Sequence, residues 1–240
     1  MQVKAYGQTD IGLKRKNNQD AILVAEDIHL YAVADGMGGH KGGEVASQMS
    51  LKVAEDFFRA NQNMDPRALT KEMYRRACEK VYDESQIDQS LSGMGTTLVL
   101  AFLRDTKVYF GNVGDSRVYM FKNNRLWQIT DDHSLLNEQV RAGLIEEDNA
   151  DHFEGKNVIT RSVGFERVVE NDFLERDIDS NESYILCSDG LHGLISNEEI
   201  LQVCRDHPLE KWPEMMINKA KEAGGDDNVS VVAFSVEVSS

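Results

Sequence analysis

Four apolar, strand-like runs crowd the middle of this chain, at residues 96–103, 107–113, 116–121 and 126–130. The breaks between them are three, two and four residues long and carry Arg-Asp, Gly-Asp and Asn-Asn. A parallel neighbour needs a crossover of roughly a dozen residues or more, so gaps this short admit only antiparallel pairing through tight turns. A doubly wound parallel sheet, in which strand and helix alternate throughout, is thereby excluded.

Further strands are expected at 21–25 and 30–34, the second stopping at Asp35-Gly36, and again at 173–178, 184–187 and 228–238. The last alternates Val229, Val231 and Ala233 against Ser230, Val232 and Phe234. Helices are expected where Val45, Met49, Val53 and Phe57 recur every four residues, and where Leu69, Met73, Ala77 and Val81 repeat that stripe behind Pro66. Helical segments at 134–142, 197–205 and 209–223 follow, the last with Trp212, Met216 and Ala220 on one face. Antiparallel strands with helix pairs in two places predict an α+β fold: two packed antiparallel sheets, a β-sandwich, flanked by α-helices as α/β/β/α. All 240 residues fit one domain, within which 143–167 is polar, aperiodic and read as an irregular, mobile excursion.

The charge excludes some functions. With 26 basic and 41 acidic residues the net charge is −15, so the surface repels phosphate backbones and anionic lipid, and no nucleic-acid partner is expected. No apolar run reaches the roughly 18 residues of a membrane span, and residues 1–10 lack an apolar signal core. Cys78, Cys187 and Cys204 are odd in number and lack CxxC spacing, which argues against a disulfide framework or a cysteine zinc site and fits a reducing cytoplasm. No exposed apolar heptad calls for a dimer, so a monomer is expected.

Five aspartates stand at the ends of apolar strands beside small residues: Asp20, Asp35, Asp115, Asp189 and Asp227. Any one could be a turn residue. Five such junctions, on strands that can converge at one edge of a sandwich, point instead to gathered carboxylates. Such groups repel and resist ionising together unless a cation joins them. Oxygen-only ligands select Mg²⁺ or Mn²⁺ over zinc or copper. Two ions roughly 3.5–4 Å apart could share Asp35 and hold a bridging water as hydroxide. Asp20, Asp35, Asp189 and Asp227 would then balance the two ions, and Arg15 would add the charge that receives a phosphate dianion. Gly36 could offer a carbonyl oxygen with no side chain in the way.

The set Arg15-x4-Asp20, Ala34-Asp35-Gly36-Met37-Gly38-Gly39, Gly95-Thr96-Thr97, Gly114-Asp115-Ser116-Arg117, Asp132-His133, Ser188-Asp189-Gly190 and Asp227-Asn228 resembles the metal-dependent protein phosphatases of type 2C, in order and spacing along nearly the whole chain. It is most similar to their small, stand-alone bacterial members. The resemblance implies hydrolysis of phosphoserine and phosphothreonine on proteins with Mn²⁺ or Mg²⁺, reversing Ser/Thr kinase signalling, with a kinase and its substrates among the partners. It implies that Asp35 bridges two metals, that the Gly36 carbonyl binds one, that Asp189 and Asp227 hold the other, and that Asp20 acts through water. Asp115 with Asp189 would serve a third, weaker site. Arg15 would clamp the substrate phosphate, for which its planar fork suits two oxygens. Asn228 would orient the neighbouring ligand, and 143–167 would be the family's variable flap. The bridged hydroxide would attack phosphorus directly, with no covalent phosphoenzyme.

Animal relatives carry a His directly after the Asp-Gly, whereas this chain has Met37 and its nearest histidine is His40. His40 is a candidate for leaving-group protonation or substrate contact, and equally an exposed loop histidine. His133 is expected to tie a loop. Cys187 lacks the Cys-x5-Arg loop of a tyrosine phosphatase and reads as a core residue. The alternative to the enzyme is a catalytically silent phosphoprotein-binding module of the same fold, disfavoured by the intact aspartates.

Overall fold

The computed structural model describes residues 2–146, 153, 155 and 158–237, with the side chain of His40 outside that description. Two antiparallel sheets stack face to face. One contains β2 (Asp20–Ala25), β3 (Leu30–Met37), β5 (Leu98–Arg104), β6 (Lys107–Val113) and β9 (Asp172–Asp177) in that spatial order, with the short β4 (Gly95–Thr96) paired to the end of β3. The other runs β1 (Gln2–Asp10), β11 (Val229–Glu237), β10 (Glu182–Cys187), β7 (Arg117–Lys122) and β8 (Arg125–Gln128). Helices α1 (Gly39–Ala60) and α2 (Pro66–Ile87) cover the first sheet, while α5 (Asn197–Asp206) and α6 (Trp212–Glu222) cover the second. The expected four-layer α+β sandwich is therefore present.

Its core has three sections, which explains why the strands read as continuous apolar runs: both faces of each sheet are covered. Tyr31, Val33, Phe110, Tyr184, Leu186 and Phe234 fill the space between the sheets. Leu30, Ala32 and Ala34 face the opposite way, onto α1 and α2. Val229, Val231 and Ala233 face α5 and α6, while Val232 and Phe234 face the other sheet, so the alternation in the last strand divides two cores rather than core from solvent. The helices begin where chemistry favours it. Asp65 caps α2 at the Ala68 amide ahead of Pro66, and Ser196 with Glu199 forms a capping box on α5.

Some elements differ from the sequence expectation. Strand β1 was not anticipated, because most of its residues are exposed or half-buried at the sheet edge and carry no apolar pattern. Run 96–103 is broken at Thr97, whose amide and hydroxyl are committed to Asp35. Asp189–His192 forms a short helix, α4, too brief for a periodic signal, and residues 209–211 form a 3₁₀ turn ahead of α6. Helix α3 (Leu135–Arg141) matches the expected 134–142 to within a residue. Of 143–167, the described residues form no regular element, yet several are fastened: Val163 is buried and exchanges both backbone hydrogen bonds with Thr96. Among the described residues, no helix is long and apolar enough to cross a membrane.

Candidate metal centre

The strand ends of both sheets meet at one edge of the sandwich. Asp20 opens β2 and Asp35 lies near the end of β3, directly opposite each other in the register of that antiparallel pair. Asp115 follows β6, Asp189 follows β10, and Asp227 precedes β11. Asp20 and Asp115 are each only 6% exposed, while Asp35, Asp189 and Asp227 are half-buried. Asp35 and Asp189 lie close enough to perturb each other's ionisation. All five predicted carboxylates are therefore brought to one edge.

Burial dominates their ionisation. Loss of water pushes Asp20 and Asp115 up to about 7, and raises Asp35 and Asp189 above the usual carboxylate range. Neighbouring carboxylates push the same way: Asp189 and Asp227 on Asp20, and Asp20, Asp189 and Asp115 on Asp35. Oδ1 of Asp20, of Asp115 and of Asp189 is buried with no hydrogen-bond partner among the described residues. Orphaned carboxylate oxygens are costly unless something else satisfies them. Among the described residues, no three His, Cys, Asp or Glu side chains stand together as a ready-made ligand group. A donor set made only of oxygens, with three buried atoms unpartnered, fits hard divalent cations such as Mn²⁺ or Mg²⁺.

The backbone around Asp35 is held from several sides. Its amide donates to Thr97 Oγ1 at 2.9 Å, and its carbonyl accepts from the Thr97 amide at 2.8 Å and from Thr96 Oγ1 at 2.9 Å. Thr97 Oγ1 also lies 2.8 Å from Ser116 Oγ, which ties the Asp35 strand to the Asp115 turn. Gly36 and Gly43 meet back to back. A Cβ on Gly36 would stand 2.0 Å from the Gly43 carbonyl oxygen, so this close approach of α1 to β3 requires glycine. Gly190 is confined in the same manner, its missing Cβ lying 1.9 Å from the Asn228 carbonyl oxygen.

Arg15 belongs to the loop between β1 and β2, and its Nη2 donates to Asp227 Oδ2 at 2.5 Å. That brings the expected phosphate clamp to the rim of the carboxylates, with its side chain 52% exposed. Asn228 is the fastener of this loop. Its Nδ2 donates to the carbonyls of Ile11 and Asn17, and its Oδ1 accepts from the Gln19 amide. Its own amide donates to Asp227 Oδ1 at 2.8 Å. His40 falls in the first turn of α1, and its side chain lies outside the described residues.

Other side chains here gave little sequence signal. Ser188 Oγ donates to Asp20 Oδ2 at 2.7 Å. His192 Nε2 lies 3.0 Å from the Asp115 carbonyl oxygen, and burial lowers its pKa to about 4, so the neutral ring donates there. His133 ties loops, as expected. Its Nδ1 accepts from the Gly114 amide, which leaves Nε2–H for Asp172 Oδ2 at 3.2 Å. Beside the centre, Met37, Ser162, Phe165 and Val168 line a cavity of about 400 Å³. A larger groove between α1 and α2, lined by Val53, Phe57 and Arg76, opens on the outer helical face rather than at the carboxylate edge.

Comparison with known proteins agrees with this chemistry. The model of the family described as Protein phosphatase 2C matches residues 8–229. The serine/threonine phosphatase stp of Listeria welshimeri serovar 6b is 35% identical over 235 residues, covering 94% of this chain and 92% of that protein. The Mycobacterium tuberculosis serine/threonine phosphatase PstP/Ppp superposes with a TM-score of 0.92 at 30% identity, covering 98% of this chain and 99% of the other. The catalytic domain of PstP in complex with two manganese ions superposes with a TM-score of 0.89 at 30% identity, with the same coverage.

Proposed function

Since the chain belongs to the protein phosphatase 2C family and is a metal-dependent serine/threonine phosphatase, we propose that Asp35 is shared by two Mn²⁺ or Mg²⁺ ions, Gly36 binding one through its carbonyl and Asp189 and Asp227 holding the other. Asp20 reaches the ions through water, and Asp115 with Asp189 serves a third. The observation that supports this assignment is the meeting of Asp20, Asp115 and Asp189 from both sheets, each with a buried, unpartnered oxygen. Bound there, the ions supply an activated water for attack on phosphorus and positive charge for the phosphoryl oxygens.

The protein groups do the rest. Arg15 exchanges its ion pair with Asp227 for the substrate phosphate, gripping two oxygens with its fork. Thr96 and Thr97 hold the Asp35 backbone in place, and Asn228 secures the loop that carries Arg15. His40 is the candidate donor of the leaving-group proton. Cys187 takes no part as a nucleophile, being fully buried with its thiol pushed up to about 12. Residues 1–240 act as one catalytic unit with 143–167 as its flap, and the substrate chain passes the cavity at Met37, Phe165 and Val168.

The substrates are phosphoproteins. We assign to them a Ser/Thr kinase and its targets, and to the enzyme a monomeric state in the cytoplasm. Nothing observed favours a silent binding module. Arg15→Ala is the direct test of the clamp: KM for a phosphothreonine peptide should rise about tenfold with kcat little changed, and an unchanged KM would remove the role. Phosphopeptide profiling of cells with and without the active enzyme identifies the targets, and light scattering of the pure protein checks the monomer.

A further inference from the structure

Asp20 is buried, yet among the described residues no cation is hydrogen-bonded or ion-paired to it. What surrounds it is a ring of small polar side chains drawn from both sheets. The Asp20 amide donates to Asn18 Oδ1 at 3.1 Å, and Asn18 Nδ2 donates to Thr9 Oγ1 at 2.8 Å. Thr9 Oγ1 also accepts from Ser230 Oγ at 2.8 Å, the two residues being cross-strand partners on β1 and β11. The Ser230 amide donates to Ser188 Oγ at 3.0 Å, and Ser188 Oγ donates to Asp20 Oδ2 at 2.7 Å, which closes the ring. Ser188 and Ser230 are fully buried.

One donor direction in this ring is forced. A backbone amide can only donate, so the Ser188 oxygen is the acceptor in its contact with Ser230. The single Ser188 proton is then free for the carboxylate, which accepts when ionised. Oδ2 of Asp20 is thereby engaged from within the protein, and Oδ1 is left without a partner among the described residues. A carboxylate with one oxygen pinned by a hydroxyl and the other left for the proposed ion site has one orientation rather than two.

We propose that Ser188 is a positioning residue for the phosphatase reaction: held by the Ser230 amide, its hydroxyl fixes the rotation of the Asp20 carboxylate and reserves Oδ1 for the ion site. This rests on the assignment of Asp20 to the water shell of the ions. The Ser188 hydroxyl is engaged by Asp20 and the Ser230 amide, so its effect on the reaction passes through Asp20. Orientation of a group that stabilises the transition state affects turnover more than substrate affinity.

A double-mutant cycle separates this from a merely structural role. Ser188→Ala should lower kcat roughly 10-fold on both p-nitrophenyl phosphate and a phosphothreonine peptide, the value of one lost hydrogen bond to a charged group, with KM changed less than about twofold. In an Asp20→Ala background the same change should cost no further turnover. Calorimetric titration with Mn²⁺ alone should follow the same cycle, affinity falling severalfold in Ser188→Ala and no further in the pair. Ser188→Cys guards against loss of folding, since it keeps the volume and supplies only a weak donor. Its kcat should lie between those of the wild type and the alanine variant at an unchanged unfolding midpoint.

Losses that multiply in the double variant would overturn the proposal, as would wild-type turnover in Ser188→Ala while Asp20→Ala is impaired. Full activity in Asp20→Ala would remove the assignment of Asp20 and this inference together, leaving the phosphatase activity of the wild type untouched.

Discussion

Strand β10 begins at Glu182 and ends two residues before Asp189, so a fully buried acid stands at one end of a short strand and a half-buried one just beyond the other. Glu182 is fully buried and enclosed by opposite charge. Lys122 and Arg176 each stand 3.1 Å from Oε1, and the Tyr184 hydroxyl donates to Oε2 at 2.6 Å. Asp189 faces Asp35 instead, with Asp227 close by and one oxygen unpartnered. The first acid is completed by the protein itself, so that removing it or a partner costs stability. The second keeps a buried oxygen with no partner among the described residues, a place that an external cation can fill. Burial of a carboxylate is thus no guide to role; the identity of its neighbours is.

Substitutions at the two ends should break in different ways. Asp35→Ala removes the proposed shared ligand and should reduce kcat by roughly 10³-fold or more on p-nitrophenyl phosphate with Mn²⁺. Its thermal midpoint without metal should rise, since one member of a self-repelling cluster is gone. Retained activity would erase the contrast. Glu182→Ala should do the reverse, costing about 3 kcal/mol in urea unfolding with kcat near the wild-type value. A large loss of kcat at constant stability would place catalysis at the wrong end of the strand.

The pH dependence of stability sharpens the same contrast. Asp20 and Asp115 stand near 7 in the folded, metal-free chain, against the usual 3.8. Below 3.8 folded and unfolded states both hold these protons. Between 3.8 and 7 the unfolded chain has released protons that the folded one retains, so stability falls as pH rises and levels off above 7. The slope from the two groups together should be about 3 kcal/mol per pH unit at most in EDTA, and Mn²⁺ should restore most stability at the upper end. A midpoint in EDTA that climbs between pH 4.5 and 7 would contradict the metal-free repulsion. The smallest effect belongs to Tyr184→Phe, which leaves Glu182 its two cations and should cost about 1 kcal/mol or less, read by urea unfolding.

The sequence showed the incomplete end more readily than the complete one. Five Asp residues beside glycine or other small residues at strand ends stood out because strand period and turn chemistry are both local, and their order along the chain carried the family resemblance. Glu182 did not stand out, since its partners Lys122 and Arg176 come from other strands and nothing local announces them. Ser188, Ser230 and Thr9 escaped for the same reason: hydroxyls make no periodic pattern, and only the register of β1 with β11 brings Thr9 to Ser230. Strand β1 itself was missed because an edge strand needs little apolar character. Gly43 gave no signal either, as its need for glycine arises from Gly36, seven residues away and on a different element.

The hairpin of β2 and β3 has one more consequence. Asp20 and Asp35 occupy the same rung of its ladder. Losing one residue from either strand would turn its aspartate to the reverse side of the sheet unless a bulge absorbed the change. Evolution can therefore lengthen or shorten the connection at 26–29 freely, while the two strands leading to that rung must keep their span. The spacing of the reactive pair is measured out by β-pleats, and length variation in this lineage should be found at the bend and not along its arms.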